Sequence, residues 1–412
     1  MTDSHVQNLI AERIGGKRFG QDTVIYKFER IKRAKAAALA AHPEREIIDM
    51  GVGEPDAPAH QDVVNALADA AANPGNRFYA DNGIDLFKEA AAKYMADVYG
   101  VTGLNPATQV VHAIGSKSAF ALLPYAFVNE GDVVIQTVPG YPVLATISSW
   151  LGATVHNLPI TPDNGFLPDL HSIPAEVLNR AKLLYLNYPN NPTGAAATRE
   201  FFEEVVAFAK QHHLLVVHDA AYGALTFDGY EPLSFLSIPG ALEVGIEVHS
   251  MSKAFNMTGW RLGFVAGNET AVKAFATVKD NNDSGQFRAI QIASAKALGH
   301  PEWTVETAAK YSRRHELLVD VLRDAGFEAK KPKASFYLYV KAPKGVVGGP
   351  TFASAADFSE YLIKEQSIST VPWDDAGHFV RWSVTYEATD EADEVRVMNE
   401  VARRLGQLEL EF

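Results

Sequence analysis

Six short runs of aliphatic and β-branched residues, separated by helix-like stretches, govern what this chain can fold into. They are VVHAIG (110–115), VVIQTV (133–138), LLYLNYP (183–189), LLVVHDA (214–220), GIEVHSM (245–251) and LGFVAG (262–267), and the first leads into the helix-like SKSAFALLPYAFVNE. Nearly continuous apolar strands alternating with helices predict an α/β domain around a mostly parallel sheet that is buried on both faces. In such sheets ligands sit outside the carboxyl ends of the strands. The residues just past those ends are therefore the first candidates for chemistry.

With 412 residues, the chain is longer than one core can fill. From residue 296 its character changes to amphipathic helix, TVETAAKYSRRHELLVDVLRDAGF, followed by SFYLYVKA, HFVRWSVTY and DEADEVRVMNEVARRL. A smaller α+β domain over 296–412 is expected after a large domain over 46–295. Residues 1–45 are too few for a core and read as an N-terminal arm packed with the small domain. Apolar content of 47% and charged content of 21% exclude disorder. A net charge of −13 with no basic stripe argues against nucleic acid as a partner. No apolar run reaches the length of a membrane span, and the first twenty residues hold no apolar signal core, so a cytoplasmic protein without a membrane partner is expected. With no cysteine, the nucleophile must be Lys, Ser, Asp or Glu. His212, His213 and His218 read as solvated or core histidines, and no metal site is expected.

Asp219 ends one strand, and Tyr222 lies three residues on. Asn190, Asn191, Pro192, Thr193 and Gly194 follow a second strand; Ser252 and Lys253 follow a third. Singly these are weak signals, since an Asp at a strand end is as readily a helix cap and a Lys is usually solvated. Together, Lys, Asp, Tyr and Asn at successive strand ends are the set a pyridoxal phosphate site requires. The lysine supplies an amine whose pKa its surroundings can lower toward neutrality.

The segment SMSKAFNMTGWRLG (250–263) matches the cofactor-lysine signature of class I/II aminotransferases at Ser250, Ser252, Lys253, Gly259, Arg261 and Gly263. GVGEPD (51–56), FYADNG (78–83), GSKSA (115–119), PGYP (139–142), YPNNPTG (188–194), DAAYG (219–223) and RWS (381–383) follow the order of the same family. The chain thus resembles the fold type I aminotransferase superfamily over nearly its whole length.

The resemblance implies pyridoxal 5'-phosphate as cofactor, held as a Schiff base on Lys253, which also moves the α-proton. It places Asp219 on the pyridine nitrogen, Asn191 and Tyr222 on the ring oxygen, and Tyr141 on the ring face. Ser116, Lys117, Ser250, Ser252 and Arg261 would surround the phosphate, as suits a helix N-terminus and a guanidinium. Tyr79 would reach the phosphate from the other subunit of a homodimer. Arg381 and Gly53, with Asn191, would meet the α-carboxylate of an amino acid or 2-oxo acid substrate.

Three stretches, IGGKRFGQDTVIYKFERIKRAKAAALAAHP, IDMGVGEPD and NRFYADNGI, resemble the bacterial form of the LL-diaminopimelate aminotransferase family. That family converts LL-diaminopimelate and 2-oxoglutarate into tetrahydrodipicolinate and glutamate. Its plant-type members carry Tyr-Gly-Pro-Glu-Gln-Gly where this chain has the shorter Tyr79-Ala80-Asp81-Asn82-Gly83. Candidates for the distal end of the substrate are Asp81, Tyr26 in the arm, and Gln286 and Arg288 from the other subunit. The same fold serves aminotransferases for aspartate, aromatic acids or alanine, and also lyases and a cyclopropane-forming synthase. A cofactor-sensing regulator is the reading from another class; the acidic charge and the lack of a helix-turn-helix-like segment stand against it. Glu54 and Asp56 read as a structural loop pair with no evident partner.

Overall fold

A computed structural model describes residues 5–21 and 27–412; Tyr26 lies outside the described residues. Helix α1 (Lys27–Ala41) precedes strand β1 (Ile48–Asp49), and helices α2 (Gln61–Ala72) and α3 (Asp85–Tyr99) lead into the sheet region. Seven strands build the main sheet: β2 (Val110–Ala113), β3 (Val133–Val138), β4 (Thr154–Pro159), β5 (Ala181–Asn187), β6 (Leu215–Asp219), β7 (Gly245–Ser250) and β8 (Gly263–Gly267). Their order is β2-β8-β7-β6-β5-β3-β4. The pairs β3–β4, β3–β5, β5–β6 and β6–β7 are parallel, whereas β8 runs against both β2 and β7.

All six expected runs form strands, and the sheet is mostly parallel. The departures have physical reasons. The run 183–189 leaves the sheet at Asn187, before Pro189, which has no N–H for a ladder. β8 is antiparallel because Met251–Leu262 is folded around a lysine and supplies no crossover helix, which a parallel return needs. β4 carries no apolar run: it is the sheet edge, exposed or half-buried along most of its length, and holds His156 and Asn157.

Side chains alternate between two cores. On β5, Leu184 and Leu186 join one, Leu183 and Tyr185 the other; on β6, Val216 and Val217 divide in the same way. Phe201, Phe202 and Val205 of helix Arg199–His212 cover the first face. Phe120 and Leu123 of helix Gly115–Phe127 and Phe275 of helix Glu269–Asp280 cover the second.

The C-terminal part holds β9 (Tyr337–Lys341), β10 (Gly345–Val346), β11 (Ile368–Ser369), β12 (Val371–Trp373), β13 (Phe379–Ser383) and β14 (Leu410–Glu411). β12-β13-β9 is an antiparallel sheet, β10 pairs with β14, and β11 pairs in parallel with β1. The strand just past residue 45 thus belongs by pairing with the C-terminal half. Among the described residues, α1 makes a separate core in which Ile31, Ala34 and Ala38 pack on Ile363, Val371 and Trp373.

Asp56 has partners that its sequence neighbourhood does not reveal, which corrects the expectation of none. Its carboxylate meets Lys310 Nζ at 2.7 Å and Arg314 Nη2 at 3.0 Å, both on helix Glu302–Asp324. Arg314 is almost wholly buried and also donates to Glu394 at 2.8 Å and to the carbonyls of Val384 and Tyr386. Removing one member of a buried charge cluster leaves the others uncompensated. Asp56→Ala is expected to cost about 3 kcal/mol, read by calorimetry as a lowered thermal midpoint. An unchanged midpoint would show that the cluster adds nothing to stability.

Candidate active site

The carboxyl ends of β5, β6 and β7 open into one cavity of about 780 Å³. Past β5, Asn187 Oδ1 accepts the N–H of Asn191 at 2.8 Å, and Asn190 Oδ1 accepts the N–H and hydroxyl of Thr193. These bonds fix the turn that turns Asn191 toward the cavity. At the end of β6, Asp219 is buried. Its Oδ2 accepts the Tyr185 hydroxyl at 3.0 Å and its Oδ1 accepts the N–H of Ala221 at 3.0 Å. Burial raises this carboxyl to about 6, against the hydrogen bonds from Ala221 and Tyr185. Among the described residues no lysine or arginine forms an ion pair with it.

β7 ends at Ser250, whose hydroxyl caps the turn Met251–Ala254 by accepting the N–H of Ser252 at 3.1 Å. Lys253 projects from that turn, and its Nζ donates to the Gly53 carbonyl at 2.7 Å. Burial lowers its pKa to about 8; Glu54 opposes the shift, and the Arg261 and Arg381 guanidiniums add to it. A side chain at position 53 would meet the Tyr337 hydroxyl at 2.6 Å, so the close approach of this loop needs glycine.

At one end of the cavity lie Ser116, Lys117, Ser250, Ser252, Thr258 and Arg261. Gly115, with φ of +74°, opens helix Gly115–Phe127, and a Cβ there would overlap the Arg261 guanidinium. Arg261 Nη1 donates to Thr258 O at 2.7 Å. The free amides of the helix start, two cations and three serine hydroxyls make this end a receptor for an anion.

At the other end is Arg381, in β13. Its Nη1 donates to Asn191 Oδ1 at 3.0 Å and its Nη2 to Gly51 O at 2.9 Å, while Nε is buried with no partner among the described residues. The guanidinium lies 4.2 Å from the centre of the Tyr337 ring. Tyr222 and Tyr337 place their hydroxyls 3.3 Å apart, and burial holds the Tyr222 phenol well above its ordinary pKa. Tyr141 lines the same cavity.

The structure thus brings together every expected cofactor residue but Tyr79, and the three residues expected at the α-carboxylate, Gly53, Asn191 and Arg381. Tyr79 is 78% exposed and lies outside the cavity, as do Asp81, Gln286 and Arg288. Within this chain the last two act on loops. Arg288 donates to Tyr79 O at 2.7 Å, and Gln286 donates to Trp260 O and Arg261 O at 2.8 and 2.9 Å. Asp81 directs its carbonyl to the buried Lys279 Nζ at 2.7 Å. The three histidines lie apart. His212 ends a helix and His213 caps it in left-handed geometry, while His218 is buried between Glu247 and the Tyr188 carbonyl, at 2.8 and 2.9 Å. Sequence reasoning missed Tyr185, Asn187, Tyr337 and Glu54. It also missed a wall formed by Lys32, Lys35 and Asp49.

A buried carboxylate lacking a cation, a lysine of lowered pKa and an anion receptor share one cavity, and these residues fit a phosphorylated aldehyde with a basic aromatic ring. The fold and this site define a pyridoxal-phosphate-dependent enzyme acting on amino acids and 2-oxo acids. The chain belongs to the family Aminotransferase class I and II, whose model matches residues 45–395. Over the full length of both chains it is 56% identical to LL-diaminopimelate aminotransferase of Methanocaldococcus jannaschii and 55% identical to that of Methanococcus maripaludis. Among solved structures it is similar to substrate-bound BacF of Bacillus subtilis, with a TM-score of 0.86, 32% identity and 98% of each chain covered. It is also similar to a mutant aspartate aminotransferase of Thermus thermophilus, with a TM-score of 0.80, 27% identity, and 96% of this chain and 99% of that one covered.

The lowered pKa of Lys253 has a direct reading. Only the neutral amine attacks an aldehyde, so uptake of pyridoxal phosphate by the cofactor-free protein, followed by absorbance, should accelerate with rising pH and reach half its maximum near pH 8. A midpoint at the ordinary lysine value of 10.5 would contradict the desolvated amine.

Proposed function

We propose that this chain is an LL-diaminopimelate aminotransferase, transferring an amino group from LL-2,6-diaminopimelate to 2-oxoglutarate in the biosynthesis of lysine and peptidoglycan. The observation that carries the reading is end-to-end identity above one half with two relatives of that name. The enzyme works as a cytoplasmic homodimer with no nucleic-acid or membrane partner. A cluster of exposed aromatic residues, Phe78, Tyr79 and Phe287, supports a second copy on that face. No helix among the described residues is long and apolar enough to cross a membrane. The chain divides into an arm over 1–45, a large domain over 46–295 and a small domain over 296–412.

Bound pyridoxal phosphate supplies an electron sink for the charge that develops at the α-carbon. Arg381 clamps the donor's α-carboxylate, aided by Asn191 and the Gly53 backbone. Lys253 Nζ takes the proton from the donor's α-carbon, as a base whose pKa lies near the working pH. Asp219 would hold a proton on the ring nitrogen of the bound cofactor, and that charge would keep its carboxylate ionised. The Asn191 amide and Tyr222 hydroxyl would hold the ring oxygen, and Tyr141 would cover the ring. Ser116, Lys117, Ser250, Ser252 and Arg261 would hold the phosphate, and Tyr79 would reach it from the other subunit. Arg288 and Gln286 hold the loops that carry Tyr79 and Arg261.

Asp219→Ala should lower turnover by at least roughly a hundredfold, as loss of one preorganised electrostatic contact does, and Asp219→Glu should recover part of it. A mild loss in the alanine variant would make Asp219 a cap. For the substrate, catalytic efficiency with 2-oxoglutarate should be far higher for LL-diaminopimelate than for aspartate, tyrosine or alanine. Equal or better use of any of these three would overturn the diaminopimelate reading and leave the family unchanged.

A further inference from the structure

The cavity continues beyond the reaction centre to the face of α1, where Lys32, Lys35 and Asp49 form its wall. Lys35 and Asp49 are paired, and their side chains are 28% and 30% exposed. The pair is tied to the α-carboxylate clamp through one residue: Asp49 Oδ1 accepts the Gly51 N–H at 3.0 Å, and Gly51 O accepts Arg381 Nη2 at 2.9 Å. Opposite Asp49 in the β1–β11 register is Ser369, which also lines the cavity; its hydroxyl is buried with no partner among the described residues. Lys32 lies one turn before Lys35 and so on the same helix face.

Asp49 and Gly51 are two positions apart in the chain, which holds their Cα atoms within roughly 7 Å of each other. A diaminopimelate chain, with three methylenes between its α-carbons, covers a similar span. Its far end carries an ammonium and a carboxylate on one carbon, the complement of a carboxylate and an ammonium side by side on a wall.

We propose that Asp49 and Lys35, assisted by Lys32, form the subsite for the distal amino-acid end of the donor, with Asp49 receiving the ammonium and Lys35 the carboxylate. The assignment rests on the diaminopimelate reading and deepens it, because the pair also selects configuration. Inverting the distal carbon exchanges its two charged groups. The meso isomer, bound by its L end, then sets carboxylate toward Asp49 and ammonium toward Lys35, and like charges meet.

The test compares kcat/KM for LL- and meso-diaminopimelate in wild type, Asp49→Asn and Lys35→Met. The asparagine keeps an acceptor for the Gly51 N–H. Each variant should lose about 30-fold with the LL isomer, mainly through KM, on the scale of one charged hydrogen bond. The meso isomer should lose far less, so that the LL-to-meso ratio falls at least tenfold. An unchanged ratio in both variants, whether or not overall rates fall, overturns the proposal and leaves the pair as a tie between α1 and β1. A wild type inert toward LL-diaminopimelate overturns the reading beneath it, and the subsite with it.

Discussion

A sheet sealed on both faces leaves polar chemistry one outlet, the row of strand carboxyl ends. The rest of the structure depends on that constraint. β5, β6 and β7 lie side by side in parallel, so Asn187 pairs in register with Asp219, and Asp219 with Val248, two residues before Ser250. Ser250 in turn pairs with Gly263, the first residue of β8. The whole segment between them is therefore a loop outside the sheet edge, and it carries both Lys253 and Arg261. The reversal of β8 is thus tied to the function, since it returns the chain to the edge from which the lysine departs.

The same burial sets the charges. Asp219 and Lys253 are both moved toward their neutral forms, one up to about 6 and the other down to about 8. Glu247, deeper in the sheet, goes the other way: burial would raise it, but His249 and His218 hold it well below the usual carboxylate range. The lower layer is thus internally paired, while the layer facing the cavity is not. A carboxyl raised in the fold binds its proton more tightly there than in the unfolded chain. Stability from Asp219 is accordingly present below its ordinary 3.8 and lost as pH rises through about 6. A ring cation brought to Asp219 reverses this, so that cofactor and fold stabilise each other.

Most of the sheet and much of the lining of the candidate site were legible from the sequence, because both rest on local signals. Apolar runs bounded by Asn, Asp and Ser mark the strand ends, and SMSKAFNMTGWRLG carries its own lysine, arginine and glycines. What stayed hidden depends on distant partners or on orientation. Tyr185 reads as one more core residue of β5 until its hydroxyl is seen on Asp219 of the next strand. Asp56 meets Arg314 from 258 positions away, and no local pattern announces it. β4 was missed because an edge strand half in water has no apolar run. Gln286 and Arg288 are expected at the distal end of the other subunit's substrate; within their own chain they donate to backbone carbonyls. Lys32 and Lys35 carry no local signal, and only the placing of α1 over the cavity gives them a role.

That placing has a consequence for motion. Among the described residues, α1 rests on a core of its own built from Ile31, Ala34 and Ala38 against Ile363, Val371 and Trp373, and this core is separate from those around the sheet. Segments with few buried apolar contacts open at the lowest free-energy cost. The wall of the cavity formed by α1 can therefore detach while the sheet stays intact, and its amide hydrogens exchange with solvent ahead of those in β5 to β7. A molecule bridging Arg381 and the α1 face would couple that loose wall to the rigid sheet edge, so occupancy of the site would appear as slowed exchange in a helix that carries no catalytic group.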